Sequence, residues 1–243
     1  MDGYGPDSYG EGMADVYDEW YSLSDWRGAV ARLRRWAGDR PVLELGVGTG
    51  RLAVPLAEAG VEVWGLDASP AMLERLRARP GGEAVHAVVG DMAELALDPP
   101  RPFGLVFAAY NSLFNLTTEA DQRRCLERVH QVVAPDGHLV LEVAVLSSES
   151  PDQEVSVRSL AMDRVVLSVS RRNRATQTVA GQFVDITESG IRLRPWQIRY
   201  LSPAQLDALA ADAGFELVGR WRGWREQTFD DLSDRHVSLY RRV

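Results

Sequence analysis

A glycine-rich turn near residue 45 is the first pattern in the chain with a clear chemical meaning. The apolar run Val42–Leu45 leads directly into Gly46–Gly50, in which every second residue is glycine. Glycine has no side chain, so the backbone of such a turn can come very close to a ligand. In the dinucleotide fingerprint G-x-G-x-x-G the third glycine comes one residue later, where this chain has Arg51. The spacing therefore disfavours a nicotinamide cofactor.

One carboxylate precedes this turn and another follows the next apolar run. Glu44 lies at the end of the first predicted strand, where it would repel a pyrophosphate and attract an ammonium group. Asp67 comes seventeen residues after Gly50, and its carboxylate can accept hydrogen bonds from two ribose hydroxyls. The alternative is that Asp67 caps the next helix, but Ser69 already takes that position beside Pro70.

A third acidic residue follows the third apolar run. Asp91 can hydrogen-bond an exocyclic amine, and Met92 can lie against a base. The alternative is an ordinary strand-end turn at Gly90-Asp91. Together with the turn and Glu44, these residues favour a sulfonium cofactor that carries an amino acid.

The elements that position these residues alternate between apolar runs and amphipathic stretches from Pro41 to Val145, which predicts a parallel sheet with crossover helices. The predicted strands are Val42–Leu45, Val61–Leu66, Ala84–Val89, Leu105–Ala109 and His138–Val145, and the helices are Leu52–Ala59, Ala71–Arg79 and Glu119–Val133.

The two ends of the chain follow other patterns. The first twelve residues predict a tail that is mobile until something docks on it, followed by a short helix with an aromatic face and a second helix at Arg27–Ala37. After residue 146, alternation with a period of two predicts antiparallel strands. These strands are Val155–Ser159, Arg164–Arg171, Thr178–Thr187 and Ile191–Tyr200, followed by a helix from Ser202 and strands at Phe215–Trp221 and His236–Arg241.

The composition excludes several classes of function. A formal net charge of −8 opposes a nucleic-acid partner. Five arginines in the antiparallel region could hold a phosphorylated substrate, although a solvated strand face explains them better: Arg158, Arg164, Arg171, Arg172 and Arg174. No run of eighteen apolar residues and no leader peptide is seen, so we expect no membrane partner and a cytoplasmic protein. The single cysteine, Cys125, cannot form an internal disulfide.

Candidate catalytic residues follow the fourth strand. Attack on a sulfonium methyl group is an in-line displacement that depends mainly on positioning. Tyr110 and Asn111 could bind the cofactor or orient the nucleophile, or only pack in the wall. His236 is a candidate base, although a structural role is the more usual one. No histidine has metal-ligand spacing, so we expect no metal.

Aromatic and basic residues late in the chain are candidates for a substrate wall. Trp196, Arg199 and Trp224 belong to this group, with Trp221 and Arg225 beside them in the sequence. Ordinary core packing is the alternative for all of them.

Residues 41 to about 145 resemble the class I S-adenosylmethionine-dependent methyltransferases, through Glu44–Gly50, Asp67 and Asp91-Met92. The resemblance implies an α/β, Rossmann-like, doubly wound seven-stranded sheet whose last strand is antiparallel, with an antiparallel β insertion before the final helix. It also implies S-adenosyl-L-methionine as cofactor and S-adenosyl-L-homocysteine as product. The implied cofactor residues are Tyr17, Tyr21, Glu44, Gly46, Gly48, Gly50, Asp67, Ala68, Met72, Asp91, Met92 and Ala108.

The layout is also similar to that of small actinobacterial methyltransferases that N-methylate amino sugars or modify other secondary metabolites. This similarity implies lid helices in residues 1–40, a cofactor-binding core in 41–146 and 201–243, and an insertion in 147–200 that covers a substrate pocket. Tyr17 and Tyr21 would close over the cofactor, unless they are core residues.

The predicted function is methyl transfer to nitrogen or oxygen of a small-molecule metabolite, by a monomer or a homodimer. The alternatives are a cofactor-binding regulatory protein without turnover and, less favoured, a nicotinamide oxidoreductase.

Overall fold

Two β-sheets and seven α-helices make up the described part of the chain, which in this computed structural model is residues 1, 3–21, 26–97 and 102–243. The helices are α1 (Ser8–Met13), α2 (Tyr17–Trp20), α3 (Trp26–Ala37), α4 (Ala53–Glu58), α5 (Pro70–Ala78), α6 (Glu119–Val132) and α7 (Pro203–Asp212). The strands are β1 (Val42–Leu45), β2 (Val63–Asp67), β3 (Val85–Val89), β4 (Phe103–Ala108), β5 (Val133–Ala144), β6 (Gln153–Leu160), β7 (Arg164–Asn173), β8 (Thr178–Thr187), β9 (Gly190–Arg199), β10 (Phe215–Trp221) and β11 (Arg235–Arg242). No helix in these ranges is both long and apolar enough to span a bilayer.

The large sheet has seven strands in the order β10-β11-β5-β4-β1-β2-β3. Strands β1 to β5 are parallel, and β11 runs antiparallel to both of its neighbours. Strands β2 and β3 extend the sheet from one edge of β1, and β4 and β5 extend it from the other edge. The strand order therefore reverses between β1 and β4, and a crevice is expected where these two strands end. The predicted fold class is confirmed, including the antiparallel last strand.

Helices cover both faces of this sheet, as the continuous apolar strands require. All four residues of β1 and all six of β4 are buried. Serine caps set the start of two helices: the Ser69 hydroxyl accepts from the Met72 N–H, and Ser202 forms a capping box with Gln205. These caps fix where the chain leaves each strand end and enters the next helix.

The inserted residues form a separate antiparallel sheet in the order β6-β7-β8-β9. Alternate residues of β8 are buried and half-buried, with Val179, Phe183 and Asp185 on the buried face. This inner face packs against α1 and α2, whereas the outer face is open to solvent.

Residues 8–12, part of the segment predicted as a tail, are helical and docked on the rest of the molecule. Helix α1 begins at Ser8, and Gly10 and Met13 are buried. Met13 and Val16 pack with Phe183 of the small sheet and Met72 of α5. The local composition is polar and glycine-rich, so only this tertiary contact explains why the segment is helical.

Candidate functional site

A cavity of about 300 Å³ opens at the carboxyl ends of the parallel strands. Its floor is the large sheet, its roof is the inner face of the small sheet, and helices α1 and α2 close one side. The lining residues are Pro6, Tyr9, Gly10, Tyr17, Tyr21, Gly46, Gly48, Leu66, Asp67, Ala68, Met72, Gly90, Asp91, Met92, Tyr110, Asn111, Ser112, Asn115, Leu116, Phe183, Trp196 and Ile198.

The glycine turn forms the floor of the cavity next to β1. Gly46 and Gly48 have φ angles of +68° and +54°, a region that other residues rarely adopt. A Cβ atom on Gly46 would also lie 2.7 Å from the Ser112 hydroxyl oxygen. Glycine at this position therefore keeps the turn and the end of β4 close together, with bare backbone towards the cavity.

Asp67 braces the glycine turn from the end of β2. Its carboxylate accepts from the Gly48 N–H at 2.8 Å and from the Ser69 N–H at 2.9 Å. Ser69 is the N-cap of α5, so Asp67 is not needed for that role. Burial raises the pKa of the Asp67 carboxyl, although the two backbone N–H groups oppose this rise.

Glu44 faces a small chamber behind the glycine turn, which it shares with Arg51 and Glu142. Only 5% of Glu44 is exposed, and its Oε2 atom has no hydrogen-bond partner among the described residues. Burial raises the pKa of the Glu44 carboxyl well above its ordinary range, and the nearby Arg51 guanidinium partly opposes this. A buried acceptor without a partner is costly, so the chamber is well suited to a ligand that donates hydrogen bonds.

Two consecutive residues after β4 have left-handed backbone. Tyr110 and Asn111 have φ angles of +55° and +69°. The Tyr110 N–H donates to Glu142 Oε2 and the Asn111 N–H to the Glu142 carbonyl, both at 3.0 Å, and Asn111 Oδ1 accepts from the Ala144 N–H at 2.6 Å. Such backbone costs about 1–3 kcal/mol per residue and persists only where neighbours hold it. Strand β5 thus fixes the backbone of both residues and the side chain of Asn111.

Helix α1 closes the cavity by docking on the start of α5. A Cβ on Gly10 would lie 2.3 Å from Ser69 Cβ, so glycine permits this close approach. Glu11 Oε1 accepts from the Ser69 hydroxyl at 2.7 Å and from the Ala71 N–H at 3.1 Å. Helix α1 is therefore fastened to the element that carries Met72.

Three tyrosines in or next to helices α1 and α2 line the cavity: Tyr9, Tyr17 and Tyr21. The rings of Tyr17 and Tyr21 lie 4.9 Å apart, and the Tyr9 hydroxyl donates to the Tyr21 oxygen at 3.2 Å. Burial raises the pKa of Tyr17 to about 12 and raises that of Tyr9 well above its ordinary range. Both side chains therefore remain neutral phenols near neutral pH.

The roof of the cavity is aromatic. The Phe183 and Trp196 rings stack at 5.9 Å, and Trp20 of the lid meets Phe183 edge-on at 5.7 Å. The Trp196 Nε1 donor is buried and has no partner.

Most of the predicted site residues lie around this cavity, and five do not line either space. Gly50 packs towards Leu76 and Val54, and Ala108 is buried within β4. The others are fixed elsewhere: His236 beside Ser238, Arg199 against Gln122 and Glu119, and Trp224 beside Trp36. Those lining the cavity are Tyr17, Tyr21, Gly46, Gly48, Asp67, Ala68, Met72, Asp91, Met92, Tyr110, Asn111 and Trp196, and Glu44 lines the adjoining chamber.

His236 is poorly placed to act on a ligand in the cavity. It is fully buried in β11, where its Nδ1 lies 2.9 Å from the Ser238 hydroxyl. Burial and the nearby Arg220 guanidinium lower its pKa to about 4. The structure therefore favours the structural alternative for this residue.

Sequence reasoning missed several lining residues, of which Tyr9, Phe183 and Asn115 are examples. Tyr9 lies in the segment predicted as a tail, so its burial had no local signal. Phe183 lies on a strand of period two, which predicts that it shares a face with Asp185 but not which face meets the cavity.

Comparisons with known proteins agree on one family. A model of the methyltransferase domain matches residues 42–137. The cypemycin N-terminal methyltransferase of a Streptomyces species is 29% identical over 88% of this chain and 89% of its own length. Among solved structures, the CcbJ methyltransferase of Streptomyces caelestis is 37% identical with a TM-score of 0.93, over 99% of this chain and 100% of that one. The amino pentose methyltransferase CalS10 of Micromonospora echinaspora is 25% identical with a TM-score of 0.71, over 95% of each chain.

Proposed function

The chain belongs to the S-adenosylmethionine-dependent methyltransferases, and from that premise we propose that it methylates the nitrogen of an amine in a small molecule. The enzyme class and the cofactor follow from the family. The acceptor atom, the substrate class and the roles of individual residues are the proposal.

The residues around the glycine turn fit the cofactor. The unpartnered oxygen of buried Glu44 suits the ammonium group of the methionine part, and Asp67 suits the ribose hydroxyls. Asp91 and Met92 lie at the end of β3, where the resemblance implies the adenine. When bound, S-adenosylmethionine supplies a methyl group on a sulfonium, which a nucleophile attacks in line.

The observation that carries the choice of nitrogen is the scarcity of proton acceptors in the cavity. Within the described residues that line it, Asp67 and Asp91 are the only ionisable groups besides tyrosines. Both carboxylates are assigned to the cofactor, and Tyr9 and Tyr17 are held as neutral phenols. A hydroxyl acceptor requires a base to take its proton, whereas a neutral amine attacks through its lone pair. An amine is therefore the acceptor that this cavity serves best.

The acceptor would lie between the left-handed residues Tyr110 and Asn111 and the aromatic roof. Asn111 offers a side-chain amide that is held by β5, and Tyr110 offers a phenol. Phe183 and Trp196 offer an apolar surface. Two relatives support the proposal, since one is described as an N-terminal methyltransferase and another as an amino pentose methyltransferase.

The test is a methylation assay with matched acceptors. Purified protein is incubated with trideuteromethyl-labelled S-adenosylmethionine and pairs of small molecules that differ only by an amine or a hydroxyl, and products are identified by mass spectrometry. We expect label on amines only. Label on the hydroxyl partners contradicts the proposal. No label on any acceptor, with tight S-adenosylhomocysteine binding, favours a regulatory cofactor-binding protein instead.

We also propose that residues 147–200 act as the roof of the substrate pocket and that their outer face pairs two copies of the chain. Val157, Leu160, Ile191 and Leu193 are each at least 59% exposed on this face. The neighbouring arginines, Arg192 and Arg194, point to the other face, where they bind Asp15 of the lid. An exposed apolar face of this kind usually marks an interface. Near a two-fold axis it meets itself without bringing like charges together, which favours a second copy as the partner.

A further inference from the structure

The Tyr21 ring lies between two arginines from different parts of the fold. The Arg51 guanidinium carbon is 5.9 Å from the centre of the ring, and the Arg158 guanidinium carbon is 4.5 Å from it. Arg51 directly follows the glycine turn, whereas Arg158 lies on β6, the edge strand of the roof. The Tyr21 ring is thus contacted both from the floor of the cavity and from its roof.

Both arginines also bind the end of helix α2. Arg51 Nη1 donates to the Tyr21 carbonyl at 2.7 Å, and Arg158 Nη2 donates to the Trp20 carbonyl at 3.3 Å. The last carbonyls of a helix lack partners within it and carry partial negative charge. A helix of only four residues has little stability of its own, so these contacts decide where its end lies.

Arg158 is placed by an irregularity of its strand. Val157 pairs with Leu167 and Ser159 with Val166, so Arg158 lies at a bulge without a partner in the register. Bulges redirect a side chain, and Arg158 contacts the rings of Tyr21, Phe183 and Trp20.

Arg158 also differs from its neighbours in charge pairing. Arg164 binds Asp185 and Glu19, and Arg194 binds Asp15. In the described part of the chain, Arg158 makes no ion pair. Its guanidinium group donates to one carbonyl and lies over three aromatic rings. Its interactions are therefore directed at the lid rather than at a carboxylate of the sheet.

We propose that Arg51 and Arg158 are positioning residues that hold Tyr21 over the cavity and so set how long the cofactor and its product stay bound. The proposal rests on the assignment of this cavity to the cofactor under the proposed function. Tyr21 lines the cavity, and both arginines contact its ring. Arg158 carries the sharper test, because Arg51 also borders the chamber of Glu44.

The experiment measures the dissociation rate of S-adenosylhomocysteine by stopped-flow fluorescence in the full chain. Arg158→Gln removes the charge and the stacked guanidinium, and we expect dissociation roughly five times faster with an unchanged melting temperature. Arg158→Lys keeps the cation and should recover part of the effect. Arg241→Gln is the control, because Arg241 is an exposed arginine of β11 that pairs with Glu216 and borders neither the cavity nor the small sheet.

A double-mutant cycle with Tyr21→Leu tests whether Arg158 acts through Tyr21. We expect that Arg158→Gln changes little once the ring is gone. An unchanged dissociation rate in Arg158→Gln, or equal effects with and without the Tyr21 ring, overturns the proposal. If Arg158→Gln does not fold, Arg158→Lys in the same cycle decides between these outcomes. Failure of the wild-type chain to bind S-adenosylhomocysteine would instead overturn the cofactor assignment.

Discussion

At the scale of single residues, Glu44 combines a buried carboxyl group with a raised pKa. Its carboxylate has an unpartnered oxygen in a chamber that contains one guanidinium, from Arg51, and a second carboxylate, from Glu142. An ammonium group entering the chamber would favour the ionised carboxylate of Glu44 over its neutral form. Because burial raises the pKa of Glu44, this attraction depends on pH.

We predict that Glu44→Gln weakens S-adenosylhomocysteine binding about tenfold at a pH above the raised pKa of Glu44, the effect of losing one charged hydrogen bond. The wild-type carboxyl is ionised above that pKa and neutral below it. Wild-type affinity should therefore fall as the pH falls through that pKa and approach that of the variant. Titration calorimetry at a series of pH values measures this, with Glu83→Gln as the exposed control. Equal affinities at every pH would show that Glu44 does not bind the ammonium group.

The residues that could be predicted from the sequence are those with a local signal. The glycines, Asp67 and Asp91 follow strand ends at fixed spacing, and all of these acids lie at the cavity. Tyr9 and Phe183 reach the cavity only through tertiary packing, which spacing does not encode. Arg199 and Trp224 have the expected residue types, but the fold fixes them elsewhere.

At the scale of elements, the helices and strands of the core lie within about five residues of their predicted positions because each has a clear hydrophobic period, and helices α5, α6 and α7 also have side-chain caps. Helix α1 lacked both signals. Its N-cap position, Asp7, makes no side-chain cap hydrogen bond, and the helix is held by its contacts with α5. Its stability is therefore tied to docking, which is the property that a lid requires.

We predict that Gly10→Ala separates lid docking from folding. The new methyl group would meet Ser69 only 2.3 Å away, so α1 must move off α5. We expect about a tenfold loss in S-adenosylhomocysteine affinity with little change in melting temperature, measured by calorimetry and thermal denaturation. Gly12→Ala is a matched control in the same helix, since a Cβ there meets nothing within 4 Å. If both variants bind like the wild type, docking of α1 does not govern the site.

At the scale of the whole molecule, the small sheet has one face that lines the cavity and one face that is exposed to solvent. Its inner face carries Phe183, Trp196 and the arginines that bind the lid, so it belongs to the site. Its outer face carries apolar side chains that the cavity does not use. Under the proposed pairing, a second copy on the outer face would be coupled to the roof, since the same four strands form both surfaces.

The last prediction concerns the apolar outer face and its pairing between two copies. Val157→Glu places a charge on the edge strand of this face, opposite Leu167 of β7, where burial in an interface would leave it unpaired. We expect the wild type to have the mass of two chains in light scattering after gel filtration, and Val157→Glu that of one. Leu232→Glu is the control, because Leu232 is 84% exposed but lies in the loop between β10 and β11. A monomeric wild type at every concentration would rule out the pairing. A dimeric Val157→Glu protein would place the interface elsewhere, since a carboxylate buried against its own copy costs more than the apolar contacts of one valine supply.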